Sequence, residues 1–216
     1  MNKSTHTSRP YLVALAGGSG SGKTTMLRKL REDFTVEQLC ALNMDDYYHP
    51  REQQLIDDKG VQNFDLPTAL DDQAFCRDLE QLLQWRDVQK TEYTFNNDDA
   101  IPSTKTLTPA PIIVVEGLYL FHYASLRALW DYKVYIHARE AIRLTRRIHR
   151  DRIERNYPLD DVLYRYQHHV LPSHDQHIHP YKEEADLIID TTSGRNDGYA
   201  DLTAHLRGIL KRTHVS

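Results

Sequence analysis

The chain has 216 residues, 40% of them hydrophobic and 27% charged, with a formal net charge of -4. That length suits one large domain with a substantial core, and that balance excludes a disordered, fibrous or membrane-embedded chain. The mild acidity speaks against general nucleic-acid binding, and no apolar run reaches transmembrane length.

Residues 1–9 read as an N-terminal tail. They carry Lys3 and Arg9 ahead of an apolar stretch too brief for a secretory signal. Cys40 and Cys76 are the only cysteines. They lack metal-ligand spacing and are expected to be reduced thiols of a cytoplasmic protein. From residue 10 to 212 a single domain is expected, because short β-type runs alternate with helix-type runs, the order of a parallel sheet covered by helices. Tyr11 to Ala16 predicts the first strand and Thr24 to Asp33 the helix after it. Leu39 to Met44 predicts a second strand, and Leu70 to Gln84 has apolar residues at helical spacing. Pro111 to Val115 and Tyr132 to His137 predict strands, Ala141 to Glu154 a charged helix, and Ala185 to Asp190 a last strand before a helix ending near Lys211. Between these, residues 93–110 predict a hairpin or loop insertion. Asn156 to Pro180, with three prolines and a histidine cluster, predicts a mobile flap joined to the sheet by its ends, part of a helical lid over 150–180.

Gly17-Gly18-Ser19-Gly20-Ser21-Gly22-Lys23-Thr24 fits G-x-x-x-x-G-K-[ST] and sits between the first strand and its helix. Glycines let the backbone pass close to phosphate oxygens where a Cβ would obstruct. The helix N-terminus and Lys23 add positive charge, and the Thr24 hydroxyl, followed by Thr25, is placed to ligate magnesium. The bland alternative is a flexible glycine turn. The strand-loop-helix setting favours phosphate binding, and with it an α/β fold, a doubly wound parallel sheet of the P-loop NTPase or kinase type. A regulatory GTPase is disfavoured, since Asp57-Asp58-Lys59-Gly60 follows no apolar strand and no N-K-x-D string occurs downstream.

Acceptor chemistry is expected across the cleft. Asp45 and Asp46 follow the second strand at the sheet edge where open α/β folds bind ligands, and an Asp there can take a hydroxyl proton; the alternative is a turn or helix cap. Glu116 ends the strand at Val115, where a carboxylate can hold magnesium. Arg143, Arg146, Arg147 and Arg150 recur at i, i+3, i+4 and i+7, giving either a solvated basic face or one that neutralises a transferring phosphoryl group, with Arg155 further along.

Taken in order, these residues resemble the uridine kinase (uridine-cytidine kinase) family across roughly residues 10–192. Beyond the phosphate loop, Asp45 with Tyr47-Tyr48 resembles that family's D-x-F-Y, and Asn63-Phe64-Asp65 with Pro67 its N-F-D-x-P. Glu116-Gly117 resembles its E-G, and Arg143 to Asp151 its R-L-x-R-R-x-x-R-D. The resemblance implies transfer of the ATP γ-phosphoryl, with Mg2+, to the 5′-hydroxyl of a pyrimidine ribonucleoside in a homo-oligomeric enzyme. It implies Asp45 as base, Lys23, Arg150 and Arg155 at the phosphates, Asp65 and Arg147 on the ribose, and Tyr48 and Tyr93 on the nucleoside side.

The chain departs from that pattern at Asp98, where the family has His, and at Tyr157, where it has a second lid Arg. Arg165 stands at the family's polar nucleoside contact. A carboxylate only accepts hydrogen bonds whereas His can donate, so these positions bear on base selectivity. Alternatives are a phosphoribulokinase-like or pantothenate-kinase-like enzyme, or a nucleotide-binding regulator without transfer. His168, His169, His174, His177 and His179 raise a metal site, but without cysteines they read better as a packed or solvated lid.

Overall fold

The computed structural model describes residues 8–94, 101–194 and 198–213. Five parallel strands form the central sheet: β1 (Tyr11–Ala16), β2 (Leu39–Asn43), β5 (Ile112–Gly117), β6 (Tyr132–His137) and β7 (Leu187–Asp190), in the order β2-β5-β1-β6-β7. β1 lies at the centre, paired with β5 on one side (Ala16 opposite Gly117) and β6 on the other.

Side chains of a strand point alternately to the two faces, and both faces of this sheet are buried. Leu12 and Ala14 of β1 and Ile113 and Val115 of β5 join one apolar cluster with Phe75, Leu79 and Leu82 of α2 (Asp72–Leu83). Val13 and Leu15, with Ile112 and Val114, join the opposite cluster, against Met26, Leu27 and Leu30 of α1 (Lys23–Asp33) and Leu202 and Leu206 of α7 (Tyr199–Thr213). Helices thus cover both faces, the doubly wound arrangement expected. α2 begins where the Asp71 side chain accepts from the Ala74 amide, a local cap that halts the helical pattern two residues inside the expected start at Leu70.

Two expectations need revision. The small antiparallel hairpin pairs β3 (Val88–Thr91) with β4 (Thr104–Leu107), so it starts before the expected 93–110 insertion. Of β3 only Val88 is buried, which leaves almost no apolar alternation to read. Beyond α3 (Ala124–Arg127) and α4 (Glu140–Ile153), the lid is helical as expected, with α5 (Leu159–Arg165), a π turn (Tyr166–Val170) and α6 (Leu171–His177) running on without a break, but it is not a flap held only by its ends. Its second half is packed into the fold and does not hang free: Tyr166, Val170 and Ile178 are buried, and Ser173 and Tyr119 share a buried hydroxyl hydrogen bond of 3.0 Å. The prolines and histidines had masked those apolar positions.

Among the described residues no helix is long and apolar enough to cross a membrane.

Candidate functional site

The carboxyl ends of β1, β2 and β5, the hairpin side, and α4 and α5 enclose a cleft of about 1040 Å³. Its floor is the glycine loop. Gly20 has φ +76, and a Cβ there would stand 2.4 Å from the Arg143 carbonyl oxygen; at Gly17 (φ +148) it would stand 2.4 Å from that of Ile136. Only glycine fits both conditions, so the loop lies tight against α4 and β6. The Ser21 amide donates to the Gly18 carbonyl at 3.1 Å, and Lys23 Nζ donates to the same oxygen at 3.2 Å. Lys23 is buried, which lowers its pKa, while Glu116 and Asp45 nearby favour its charged form.

At the end of β5, Glu116 accepts the Thr24 hydroxyl through Oε1 at 3.0 Å, and Oε2 is buried without a protein partner. Burial raises the pKa of this carboxyl, with Lys23 pulling the other way. A hydroxyl and a carboxylate with an orphaned oxygen form a hard-oxygen donor set that fits Mg2+. Glu116 and Thr24 are the residues that would hold it.

β2 ends at Asn43, whose side chain accepts the Asp45 amide at 3.0 Å and so starts a short 3-10 turn, Met44–Tyr47. That turn separates two carboxylates that sequence could not tell apart. Asp45 lines the cleft with Lys23 and Glu116. Asp46 instead accepts the Tyr93 backbone amide at 3.2 Å, its pKa raised chiefly by burial. It thereby holds Tyr93 beside Tyr48, ring centroids 5.4 Å apart, and Tyr48 meets Phe64 edge-on at 6.0 Å. These three rings pack together as an aromatic wall of the cleft.

The arginine stripe divides, because successive positions turn about 100° around the helix and only part of that face meets the cleft. Arg146, Arg147 and Arg150 line it, and Arg143 does not. Arg147 Nη1 donates to Ser19 Oγ at 3.2 Å and lies 3.4 Å from Asp65 Oδ1, with its Nε 3.0 Å from Asp151. Asp151 also meets Arg150 at 2.8 Å and Arg155 at 3.5 Å, so one buried carboxylate gathers three guanidinium groups. Arg146 braces the glycine loop, reaching the Gly20 and Ser21 carbonyls at 3.3 Å and Thr191 at 2.9 Å. Arg143 is buried behind Gly18, where an added Cβ would stand 2.4 Å from its Nη1. Both arginines shape the loop; Arg143 does so from behind, whereas Arg146 also lines the cleft.

Of the expected site residues, the glycine loop, Thr25, Asp45, Tyr48, Asp65, Tyr93, Glu116, Arg147, Arg150, Arg155, Tyr157 and Arg165 converge on this cleft, although Gly17, Gly18 and Ser21 form its underside. Arg165 Nη1 donates to the Gln62 carbonyl at 2.8 Å, and its guanidinium sits 5.4 Å from the Tyr157 ring centre. Asp98 lies outside the described residues. Asn43 and Asp151 were not assigned from sequence, and Asp46 shared the strand-end signal of Asp45; each acts on a neighbour through tertiary contacts, and Asp151 stood in sequence only as the last residue of the arginine-rich string. Among the described residues no three His, Cys, Asp or Glu side chains form a group able to hold a metal.

The sequence pattern of the phosphoribulokinase/uridine kinase family matches residues 12–196. A uridine kinase of Ligilactobacillus salivarius is 32% identical over 205 residues, 94% of this chain and 96% of that protein, and one of Bacillus pumilus is 35% identical over 195 residues, 90% and 92%. Among solved structures, a putative fructose transport system kinase from Silicibacter sp. TM1040 superposes with TM-score 0.64 at 22% identity, covering 86% of this chain and 92% of the other. A possible uridine kinase from Bacillus stearothermophilus superposes with TM-score 0.60 at 17% identity, covering 86% and 91%; at such identities the likeness is one of fold. With the phosphate loop, the strand-end carboxylates and the arginine-bearing helix in one cleft, and with the family pattern spanning most of its length, the chain belongs to the phosphoribulokinase/uridine kinase family of kinases.

Proposed function

We propose that the protein transfers the γ-phosphoryl of ATP to the 5′-hydroxyl of a pyrimidine ribonucleoside, with uridine as first acceptor. The observation that carries this reading is the buried Asp65–Arg147 pair, tied to the phosphate loop through Ser19 and facing the same cleft as Asp45. A carboxylate beside a guanidinium offers an acceptor and donors together, the chemistry that grips a ribose diol. The curated relatives named uridine kinase make uridine the acceptor to test first.

In this reading the loop, Lys23 and Thr25 seat the ATP phosphates, and Arg150 and Arg155 meet the charge that builds on the transferring group. Asp45 takes the proton of the attacking hydroxyl. Asp65 and Arg147 orient the ribose, while Tyr48, Tyr93, Tyr157 and Arg165 form the wall for the base. Mg2+, when bound by Thr24 and Glu116, adds charge that offsets the phosphate oxygens. Closure of the first half of the lid, up to α5, over the cleft keeps water from competing as acceptor. We read the enzyme as cytoplasmic and homo-oligomeric, in keeping with its family.

The test is an acceptor panel. Uridine, cytidine, ribulose 5-phosphate and pantothenate are each incubated with ATP and magnesium, and ADP release and product mass are followed. Uridine or cytidine monophosphate is the expected product. Turnover with ribulose 5-phosphate or pantothenate alone would replace the nucleoside reading, and ATP binding without any turnover would end the kinase reading.

A further inference from the structure

Two sequence features take no part in the chemistry above: the Asp57-Asp58-Lys59-Gly60 string and the histidines at 168 and 169. The fold brings them together. Within residues 51–66 the chain turns back on itself as a narrow loop. The Asp57 amide donates to the Val61 carbonyl at 3.0 Å and the Asn63 amide to the Leu55 carbonyl at 2.7 Å, Ile56 bridges to Gln62, and Gly60 makes the turn at φ +79. Buried Gln54 anchors the root, donating Nε2 to the His49 and Ala69 carbonyls at 2.7 and 3.1 Å. The returning arm ends in Phe64 and Asp65, which line the cleft.

The tip of this loop is fastened to α5 and the π turn. Asp57 Oδ1 accepts the Lys59 and Val61 amides, both at 2.9 Å. Oδ2 accepts the Tyr164 hydroxyl at 2.7 Å and contacts His169 Nε2 at 2.8 Å. His169 is almost fully buried, its side chain 2% exposed. Lys59 Nζ lies 4.7 Å from the centre of the Tyr164 ring and the His168 ring 4.5 Å from it, so two neighbours pack on that ring besides its hydroxyl bond. Arg165 adds its bond to the Gln62 carbonyl at 2.8 Å. Burial works against the Asp57 charge, but these hydrogen bonds outweigh it and hold the carboxyl well below the usual range. The π turn belongs to the same device, since a π segment breaks the regular ladder and recurs at functional sites. Here it puts Tyr164 and His169 on one carboxylate while Tyr166 and Val170 stay buried.

We propose that Asp57 is a positioning residue for the acceptor: through Tyr164 and His169 it docks the 51–66 loop on the lid helices and sets the gap between Phe64–Asp65 and Tyr157–Arg165. The proposal rests on the reading that Asp65 faces the acceptor. A shift of about 1 Å in a gripping group costs up to about a hundredfold in rate or affinity, so a clip remote from the phosphates can govern acceptor binding alone.

Steady-state kinetics of Asp57→Asn and Tyr164→Phe, on whichever acceptor the wild-type protein turns over, test it. Asp57→Asn keeps the shape but loses the charge and the acceptor facing His169 or Tyr164. Its acceptor KM is expected to rise about tenfold, with the ATP KM unchanged and kcat within about twofold. Tyr164→Phe removes one hydroxyl and leaves both ring contacts, so it serves if the first variant does not fold; a rise of about threefold in acceptor KM is expected. An unchanged acceptor KM in a folded variant, even with a lower melting temperature, makes the clip purely structural and overturns the proposal. A parallel rise in the ATP KM overturns it too, because the effect is then not confined to the acceptor end. Failure of wild-type turnover with every acceptor removes the kinase reading, and the proposal falls with it; wild-type turnover with unmoved variant KM removes the proposal alone.

Discussion

Arg147 and Asp65 meet inside the cleft from 82 residues apart, Nη1 to Oδ1 3.4 Å, with side chains 9% and 12% exposed. Each group is desolvated and needs a counter-charge: Asp65 shares Arg147 Nη1 with Ser19, and Asp151 sits at Nε. Asp65→Ala leaves the Arg147 charge short of one partner and removes the acceptor's gripping carboxylate. It is expected to cost about 2 kcal/mol of stability and at least about tenfold in acceptor KM, with the ATP KM unchanged. Urea unfolding and two-substrate kinetics read the two effects separately. An unchanged acceptor KM would leave Asp65 a structural partner only.

Asp45 lies in the cleft with Lys23 and Glu116, on a turn that Asn43 fixes. Asp45→Asn retains the volume and loses the base. Turnover is expected to fall about 10²- to 10⁴-fold while the ATP KM stays within about twofold, because the glycine loop holds the nucleotide. Turnover close to wild type in this variant would remove Asp45 from its assigned role.

Glu116 pairs with Thr24 through one oxygen and leaves the other buried and unpaired. Glu116→Gln is expected to raise the magnesium needed for half-maximal activity at fixed ATP about tenfold. Nucleotide binding measured in EDTA is expected to stay unchanged. A magnesium titration superimposable on wild type would place the ion elsewhere.

Asp151 contributes to the acid limb of the stability curve. Burial would raise its pKa, but Arg147, Arg150 and Arg155 outweigh that and hold it below the ordinary 3.8. As pH falls through about 3.8, the unfolded chain takes up a proton that the folded chain still refuses, so this contribution is present above that pH and is lost below it. Melting temperature against pH is expected to show Asp151→Asn less stable than wild type at pH 7, about, and converging on it towards pH 2, about, as the wild-type carboxylate titrates. A gap of constant size across that range would show that the arginines do not act through the carboxylate's charge.

Much of the frame was legible because it rests on local rules. The glycine loop, the buried runs of β1 and β5 and the helix of Arg147 have their own periods, and a period survives without tertiary context. Hairpin strand β3 was not legible, since its Val88-Gln89-Lys90-Thr91 buries only Val88. The packed second half of the expected flap was hidden for the opposite reason: Tyr166, Val170 and Ile178 are apolar and buried, yet prolines and histidines between them broke the pattern.

The sequence by itself determined that a phosphate-binding loop follows a strand, that carboxylates end two further strands and that arginines fill one helix, because these are matters of residue type and spacing. Only the tertiary structure decided which member of each set faces the cleft. Asp45 lines it while Asp46 holds Tyr93, and Arg146, Arg147 and Arg150 reach it while Arg143 braces the loop from behind. The same holds for Asp57 and His169, 112 residues apart and joined by one hydrogen bond. Neighbouring residues of one chemical type carry the same local signal; which of them meets a ligand depends on what the fold packs against each, and that is set by distant parts of the chain.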